Sequence, residues 1–437
     1  MAIADPITTD AKVKWQYETF PYPERDPADE AKRLMRTHHD QLESLNHYCF
    51  RGRRDFRHGF RALVAGGGTG DATVYLAQQL AGTDAAIVHL DVSAASIDVA
   101  RRRTRQRGLE QDVSWIEGSL FDLPSFGLEP FDYVNCSGVL HHLDDPNEGL
   151  AALVSVLKDD GALGLMLYGR YGRLGVYPMQ ELMRLINRGE QHPQEKVNNA
   201  KETFAALPIS NVLKRMAGAM PDDGSMNDTE FYDMFLHAKD RPFSVPEVYE
   251  LLDSAGLHLI EFCSKNRALL DPRIAFPSGR LHERVSRLPR REQQAAAELF
   301  WGAVVRYDFW ASRRSNTIAD PRHPDNVPLF PTCARLIGAQ QSLLAAADAP
   351  GESWKYSILG PLQTRISLQI ALNDVSRRLV RLIDGRRTTG EIVGAIAAEL
   401  APRLSVDEVW HLCHEALRSL QGFDLVLLRH VSAPPMP

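Results

Sequence analysis

The segment VAGGGTGDAT, residues 64–73, decides the fold of this 437-residue chain. It joins a short apolar run that starts at Arg61 to a helical pattern in which Val74, Ala77 and Leu80 share one face. Glycines at such a junction let the backbone approach a ligand closely and place the N-terminus of a helix beneath it. The segment therefore predicts a strand, a ligand-binding turn and a helix in direct succession.

Several interpretations of this turn compete. A P-loop requires GxxxxGK[ST], and no lysine follows the turn. A dinucleotide fingerprint requires glycine or alanine at its third position, where this chain has Asp71, so an NAD(P)-dependent oxidoreductase is a weaker alternative. The spacing of Gly66, Gly68 and Gly70 instead fits the GxGxG turn of enzymes that use S-adenosylmethionine (SAM). A turn that binds no ligand is the remaining alternative.

Outward from the turn, apolar strand segments alternate with helical patterns as far as residue 168. The segments are RALVA, AAIVHLDVS, VSWIEG, FDYVNCSGVL and ALGLMLYG. Such alternation predicts a parallel sheet covered by helices on both faces. After an interruption at 170–242, a helix over 246–255 and the strand VVRYDFWAS (304–312) resume the pattern. The predicted fold class is α/β, a doubly wound Rossmann-like sheet.

The same pattern divides the chain into four parts. We expect an N-terminal helical lid segment at 1–60, and an α/β domain at 61–314 in which 170–242 is a helical insertion. An insertion at this place lies over the carboxyl edge of the sheet, where ligands bind in such folds. A linker rich in Pro, Asn and Asp follows at 315–330, and a small helix-rich module completes the chain at 331–437.

The composition excludes several classes of protein. With 44% hydrophobic residues the chain is not disordered, and 50 basic against 56 acidic residues predict no nucleic-acid partner. We expect the basic run ARRRTRQR (100–107) to lie on a solvated helix face rather than on RNA. The five cysteines form no CxxC pair, and we predict no metal site. No apolar run reaches the roughly 18 residues of a membrane span, so we expect a cytoplasmic protein without membrane contact.

Two further features follow the second and third strands. Asp91 ends the second strand about twenty residues after the turn, where a carboxylate can accept hydrogen bonds from both ribose hydroxyls. The alternative is an aspartate that only caps the next helix, although Ser93 is available for that role. In EGSLFDLP (117–124), Ser119 and Leu120 are candidates for a contact and an apolar wall at an adenine ring, against a plain connecting loop.

Taken in order, VAGGGTGDAT, HLDVS, EGSLFDLP and FDYVNCSGVLHHLDDP resemble the class I SAM-dependent methyltransferases, over 61–168 and more weakly up to 314. The resemblance implies a seven-stranded sheet with an antiparallel last strand, SAM as methyl donor, S-adenosylhomocysteine (SAH) as product, and an acceptor over the carboxyl edge. The cofactor-binding residues it implies are Gly66, Gly67, Gly68, Thr69, Gly70, Asp91, Val92, Ser119, Leu120 and Ser137. Two positions depart from the family: Val64 replaces its usual acid, and Ser119 a frequent Asp.

The candidate residues for catalysis and acceptor binding follow the fourth and fifth strands. His141 and His142 lie at the end of the fourth strand, and either imidazole could remove a proton from an acceptor. The alternative is that both histidines only fix the loop. For an anionic or aromatic acceptor the candidates are Tyr168, Arg170, Tyr171, Arg173 and Tyr177, unless their loop merely wraps the sheet edge.

The two ends of the chain carry weaker signals. WQYETFPYP (15–23) places four aromatic residues before the α/β domain, and we expect them to pack against the sheet rather than to form a lid. The tail motif LIDGRRTTGEIV resembles winged-helix-like modules that recognise peptides or regulate fused enzymes, and a purely structural or dimerising domain is an equal alternative. We therefore predict a SAM-dependent methyltransferase whose acceptor is a small molecule first and a peptide or protein second. A SAM-binding regulatory protein without turnover is a further alternative, and a homodimer is left open.

Overall fold

A computed structural model describes residues 9–216, 226–359 and 365–436. The strands are β1 (Arg61–Ala65), β2 (Ala86–Asp91), β3 (Val113–Glu117), β4 (Phe131–Ser137), β5 (Leu157–Tyr168), β6 (His258–Phe262), β7 (Arg306–Ser312), β8 (Asn326–Leu329), β9 (Ser353–Leu359), β10 (Arg365–Ala371) and β11 (Leu427–His430). Parts of the predicted lid segment, insertion and C-terminal module (1–8, 217–225, 360–364 and 437) lie outside the described residues.

The helices occur between these strands and at both ends of the chain. They are α1 (Thr9–Thr19), α2 (Leu42–Cys49), α3 (Asp71–Gln79), α4 (Ala94–Gln106), α5 (Pro146–Ser155), α6 (Val176–Ile186), α7 (Pro193–Ala206), α8 (Val212–Met216), α9 (Asp228–Phe235), α10 (Val245–Ser254), α11 (Ser264–Leu269), α12 (Pro272–Ala275), α13 (Gly279–Val285), α14 (Arg290–Trp301), α15 (Ala334–Asp348), α16 (Asp374–Leu382), α17 (Thr389–Leu400) and α18 (Val406–Gln421).

Strands β1 to β7 form one sheet in the order β3-β2-β1-β4-β5-β7-β6. The pairs among β1 to β5 are parallel, whereas β7 runs antiparallel to both β5 and β6. Residues 62–65 of β1 are all buried, as expected for a strand covered on both faces. The predicted doubly wound, Rossmann-like sheet of seven strands is confirmed.

The helices that follow the strands begin at the local signals present in the sequence. Gly70 is the N-cap of α3, and the hydroxyl oxygen of Ser93 accepts a hydrogen bond from the amide of Ser96 to cap α4. Asp145 caps α5, whose first residue is Pro146. The turns that lead from these strands into their helices therefore lie at the carboxyl ends of the parallel strands.

One helical prediction extends too far. The segment EGLAALVSVLKDDG (148–161) reads as a single helix, but α5 ends at Ser155 and β5 begins at Leu157. Leu157 pairs with Phe131 at the start of β4, and the amide of Phe131 donates to the carbonyl of Val156. Sheet pairing therefore overrides the local helical preference at this point.

Helices α6 to α9 build the insertion at 170–242 around an apolar core of their own. Its buried members include Val176, Met179, Met183, Val197, Phe204, Leu213, Phe231 and Phe235. The insertion re-enters the sheet region through a bridge between Gly169 and Phe243. The end of β5 and the end of the insertion are therefore held side by side at the carboxyl edge.

The described chain divides into two compact units. The first contains residues 9–40 and 57–314, and the second contains 41–56, 315–359 and 365–436. This division differs from the expected boundary at residue 60, because α2 packs on β11 and the amide of Leu428 donates to Nδ1 of His47 at 3.0 Å. The four predicted parts and their boundaries stay a prediction.

The second unit combines helices with two small sheets. Strands β9 and β10 form an antiparallel pair. Strand β8, which lies in the segment expected to be a linker, pairs with β11. Helices α16, α17 and α18 pack on one another. The tail is thus helix-rich, with short strands at its edges. In the part of the chain described by the structure, no helix combines the length and apolarity needed to cross a membrane.

Candidate cofactor and active site

The glycine turn after β1 has the backbone conformation that its composition predicts. Gly66, Gly68 and Gly70 have φ angles of 67°, 52° and 95°, a region that favours glycine. The amides of Gly66 and Gly67 donate to the carbonyl of Leu90 at 2.8 and 3.1 Å. The turn is thereby tied to the end of β2 and opens directly into α3.

Asp91 completes this arrangement from the end of β2. Its Oδ2 accepts a hydrogen bond from the amide of Gly68 at 2.7 Å, and its Oδ1 accepts one from the amide of Ser93 at 2.9 Å. Burial raises the pKa of the Asp91 carboxyl, and these backbone donors counteract the rise. Each oxygen keeps a further lone pair, so the carboxylate is fixed and can still accept hydrogen bonds from two hydroxyls. Because Ser93 caps α4, helix capping does not account for Asp91.

These residues fit the ribose and amino-acid ends of SAM. The turn offers closely approachable backbone and a helix N-terminus, and Asp91 offers acceptors for a diol. Val64 occupies the position of the missing acid and pairs with Asn135 of β4, whose side-chain amide donates to Oδ1 of the buried Asp40 at 2.8 Å.

The other predicted cofactor residues lie at the same edge. Ser119 caps the short 3-10 turn that follows β3, and Leu120 is buried within that turn. Val92 is half-buried beside Asp91, and the hydroxyl of Ser137 at the end of β4 lies 3.5 Å from Nδ1 of His39. The edge therefore gathers all of these residues, while their contacts with SAM stay a prediction.

An N-terminal strap, defined as residues 15–33, crosses this edge. The amide of Thr69 donates to the carbonyl of Tyr22 at 3.3 Å, and the hydroxyl of Thr69 donates to the carbonyl of Pro23 at 2.6 Å. A Cβ on Gly68 would lie 2.6 Å from the Tyr22 carbonyl oxygen. The strap therefore packs on the glycine turn itself.

The strap also covers the start of α4. The Glu18 carboxylate accepts hydrogen bonds from the amides of Ala94 and Ala95 at 2.6 and 3.3 Å. An acidic side chain at this place complements the positive end of the helix dipole. The hydroxyl of Ser93 donates to the carbonyl of Tyr17 at 3.1 Å. A single hydrogen bond therefore connects Tyr17 to Ser93, which lies two residues after Asp91.

A buried ionic network anchors the strap. Arg103 has no exposed surface, and it donates to Glu30 at 2.6 and 2.9 Å, to Asp71 at 2.7 Å and to the carbonyl of Thr69 at 2.7 Å. Arg25 forms a two-point pair with Asp71. The expectation of a fully solvated basic run is therefore wrong for Arg103, because its face of α4 lies against the strap.

His141 and His142 lie in a 3-10 turn after β4, and both are buried. Nδ1 of His142 lies 2.7 Å from the carbonyl of Lys239, so this nitrogen carries a proton and Nε2 has a free lone pair. Within the described residues, neither ring nitrogen of His141 has a hydrogen-bond partner. Burial holds the pKa of His141 well below its usual value, so its ring is neutral.

Helix α9 and the loop after it bring two unexpected residues to these histidines. The lid cluster, as we call it, consists of Tyr17, His142, Tyr168, Asp233 and His237. The rings of His142 and His237 stack with centroids 3.7 Å apart. The Tyr17 hydroxyl lies 3.2 Å from both Oδ1 of Asp233 and Nε2 of His237. The Tyr168 hydroxyl lies 3.4 Å from the other oxygen of Asp233.

The predicted acceptor-binding residues separate into two groups. Tyr168 stacks on His141 at 4.0 Å, and the Arg173 guanidinium lies 3.7 Å from the Tyr168 ring centroid while pairing with Asp240 at 3.0 Å. In contrast, Arg170 pairs with Glu247 at 2.6 Å, and Tyr171 is half-buried. Burial raises the pKa of Tyr177 to about 12. The structure thus brings Tyr168 and Arg173 to the histidines, and both arginines already have carboxylate partners.

Sequence reasoning missed Tyr17 as a site residue, and also Asp233 and His237. The only local signal near Asp233 is the capping box of Asn227 and Glu230, which predicts the start of α9 but nothing about its neighbours. For Tyr17, the aromatic segment 15–23 was a signal, but packing was the preferred interpretation. The cluster joins residues that are more than 200 positions apart, so no spacing rule could reveal it.

Comparisons with known proteins agree with this geometry. The family model described as "Methyltransferase domain" matches residues 63–163. An uncharacterised protein of a Synechococcus strain is 32% identical over 255 residues, which is 58% of this chain and 60% of that protein. The tRNA 5-carboxymethoxyuridine methyltransferase of Escherichia coli K12 is 32% identical over 114 residues, 26% of this chain and 42% of that enzyme. This chain therefore spans less than two thirds of either relative.

Among solved structures, PKMT2 from Rickettsia typhi superimposes with a TM-score of 0.56 at 12% identity, over 89% of this chain and 74% of that chain. A second structure of PKMT2, in complex with AdoHcy, gives a TM-score of 0.51 over 98% of that chain. At this identity the likeness shows the fold. The matched model, the strand order and the glycine turn together show that residues 63–163 are a methyltransferase domain of the class I, SAM-dependent type.

Proposed function

We propose that the chain transfers the methyl group of SAM to a small-molecule acceptor that is bound between the carboxyl edge and the helical insertion. The observation that carries this proposal is the Asp91 carboxylate, held by the amides of Gly68 and Ser93 with lone pairs left for a diol. An NAD(P)-dependent oxidoreductase remains the less favoured alternative, because Asp71 begins α3 and pairs with Arg25 and Arg103.

When bound, SAM supplies an electrophilic methyl group, and the protein supplies alignment. Well-oriented reactants gain about 7–11 kcal/mol from proximity. The glycine turn and Asp91 fix the donor end, while α6 to α9 cover the acceptor end and exclude water. A base is needed where the acceptor must lose a proton, and His141 and His142 lie at that end of the site.

The acceptor is less defined than the donor. The matched E. coli enzyme bears the name of a tRNA methyltransferase, but its match covers only 26% of this chain. We favour a small molecule because the histidines and Tyr168 are enclosed by the insertion and the strap. A peptide is the second candidate, on account of the tail motif. A cytoplasmic location, the absence of a nucleic-acid partner and a homodimer stay predictions.

Calorimetric titration with SAH tests the donor half of the proposal. Wild type should bind SAH, and Asp91→Ala should weaken binding by about a hundredfold, since hydrogen bonds to a charged group contribute about 1.5–3 kcal/mol each. Asp98→Ala is the matched control, because Asp98 is an exposed acid on α4. A well-folded wild type that ignores SAM and SAH would refute the function.

A transfer assay tests the acceptor half. Methyl-labelled SAM is incubated with cell extract, which is then separated into small-molecule, protein and RNA fractions. Label in the small-molecule fraction is the expected result. Label confined to protein or RNA would replace the proposed acceptor class, and SAH binding without transfer to any fraction would indicate a SAM-binding regulatory protein.

A further inference from the structure

The hydrogen bonds that join His237, Tyr17 and Asp233 in the lid cluster all run in one direction. The amide of Lys239 donates to Nδ1 of His237 at 3.0 Å, so the proton of the neutral ring lies on Nε2, which faces the Tyr17 oxygen. The Tyr17 hydroxyl can then donate only onward, to Oδ1 of Asp233. With Tyr168 donating to Oδ2, both phenols of the cluster donate to the Asp233 carboxylate.

Asp233 is buried and forms no direct ion pair among the described residues, since the nearby Arg173 pairs with Asp240. Burial raises the pKa of the Asp233 carboxyl, and the neighbouring His142 imidazole, the Arg173 guanidinium and the hydrogen bond from Tyr17 reduce that rise. Each carboxylate oxygen accepts one phenol and keeps a second lone pair. A buried carboxylate with open acceptor positions is costly unless another molecule supplies a donor.

A metal ion is the competing occupant of this cluster. Ligand atoms of His142, Asp233 and His237 all lie within 4.8 Å of one another. Nε2 of His142 could serve, because its Nδ1 is bonded to the carbonyl of Lys239. His237 could not, since the Lys239 amide occupies the lone pair of Nδ1 and the proton occupies Nε2. The hydrogen bonding therefore favours a protic ligand over a metal.

The cluster is also connected to the cofactor end. Tyr17 carries both connections, because its hydroxyl touches Asp233 and its carbonyl accepts the hydroxyl of Ser93. The amide of Ser93 in turn bonds Asp91. Asp233 is thus joined through one residue of the strap to the carboxylate that fits the ribose.

We propose that Asp233 binds the O–H or N–H group of the methyl acceptor and removes its proton during transfer. This inference rests on the proposed function. The acceptor's O–H or N–H bond breaks and its proton passes to Asp233. The electron pair of the acceptor atom forms the bond to the methyl carbon, and the carbon–sulfur bond breaks with its electrons left on the sulfur of SAH. The acceptor is therefore an alcohol, a phenol or an amine, and not a carbon nucleophile.

The test compares wild type with Asp233→Asn, which keeps the shape of the side chain and removes its basicity. Both proteins receive SAM labelled with carbon-13 and tritium on the methyl group, together with the small-molecule fraction of the extract. We expect Asp233→Asn to bind SAH within twofold of wild type and to transfer label at least about a hundredfold more slowly, the usual size of general-base catalysis. The carbon-13 spectrum of the wild-type product should show the methyl on oxygen or nitrogen.

Tyr232→Phe is the matched control, because Tyr232 directly precedes Asp233 on α9. The hydroxyl of Tyr232 makes no hydrogen bond within the described part of the chain. The Tyr232→Phe variant should therefore transfer the methyl group as fast as wild type does. If Asp233→Asn fails to fold, the wild-type product alone decides, because a new carbon-linked methyl overturns the proposal. Equal transfer by Asp233→Asn also overturns it, as does stoichiometric zinc or another divalent metal that is found in wild type and lost from His237→Ala. A wild type that binds SAH without any transfer refutes the proposed function instead.

Discussion

The two ends of the site are built from different chemistry. At the donor end, backbone amides, carboxylates and arginines are joined in direct pairs, as between Asp91 and Gly68 or between Arg103 and Glu30. At the acceptor end, histidines and phenols surround a carboxylate, and the ring nitrogens of His141 have no partner in the described chain. Buried polar groups without partners cost free energy until a ligand supplies those partners. On the proposed function, we expect the acceptor end to gain its missing partners from the substrate.

The largest expected effect tests whether the strap belongs to the donor end. Arg103→Ala leaves Glu30 buried without that partner, so we expect the free energy of unfolding to fall by about 3–5 kcal/mol. Urea denaturation followed by tryptophan fluorescence measures the loss. The control is Arg102→Ala on the exposed face of the same helix, where the pair with Asp98 contributes at most about 1 kcal/mol. Equal losses in the two variants would show that the network does not anchor the strap.

The second prediction asks whether burial of a carboxyl group is enough to make it necessary for methyl transfer. Glu298, buried beside Val245 and Tyr307, has its pKa raised to about 7 by burial. In the unfolded chain this group ionises at a lower pH, so the contribution of Glu298 to the free energy of unfolding should fall by roughly 3 kcal/mol as the pH rises from about 4.5 to about 7.

Glu298→Gln should reduce that decline while leaving methyl transfer intact. The measurements are urea denaturation at a series of pH values and the labelled-SAM assay at each. Asp233→Asn should behave in the opposite way, because it removes transfer. If Glu298→Gln also abolished transfer, burial and hydrogen bonding would not be sufficient grounds for assigning proton removal to Asp233.

The smallest effect concerns the glycine turn. Gly68→Ala adds a Cβ at a φ of 52° and 2.6 Å from the carbonyl oxygen of Tyr22, so the strap must shift. Gly127→Ala has a similar φ of 62°, but its Cβ meets no heavy atom within 4 Å. Both variants carry the backbone strain of about 1 kcal/mol, and only Gly68→Ala should also weaken SAH binding, by about tenfold. Calorimetry on both variants makes the comparison, and equal affinities would contradict it.

The sequence was informative where chemistry depends on neighbouring residues. The spacing of Gly66, Gly68 and Gly70, with Asp91 twenty residues later, predicted the turn and the strand end because these groups meet through adjacent parallel strands. The parallel, doubly wound sheet followed from the alternation of strands and helices. In each case the signal is local, or repeats along the chain, and can therefore be read without a structure.

The acceptor end could not be read in this way. Asp233 and His237 reach His142 only because four helices of the insertion pack around their own core, and Tyr17 arrives from the other end of the domain. For Arg103 a signal was present: Ala100, Arg103, Thr104 and Arg107 share one helix face, and that face is largely buried. Charge alone predicted that this face of α4 is exposed to solvent, whereas the helical spacing of these residues marks it as the covered face.

The strap also determines how short a working domain can be. The family match begins at residue 63, yet Glu18, Arg25 and Glu30 supply ion pairs or hydrogen bonds to α3 and α4. A fragment that starts at residue 63 would leave the buried Arg103 guanidinium without its partner Glu30. A fragment meant to keep these contacts must therefore begin before Glu18, and a fusion partner placed directly ahead of β1 would remove them.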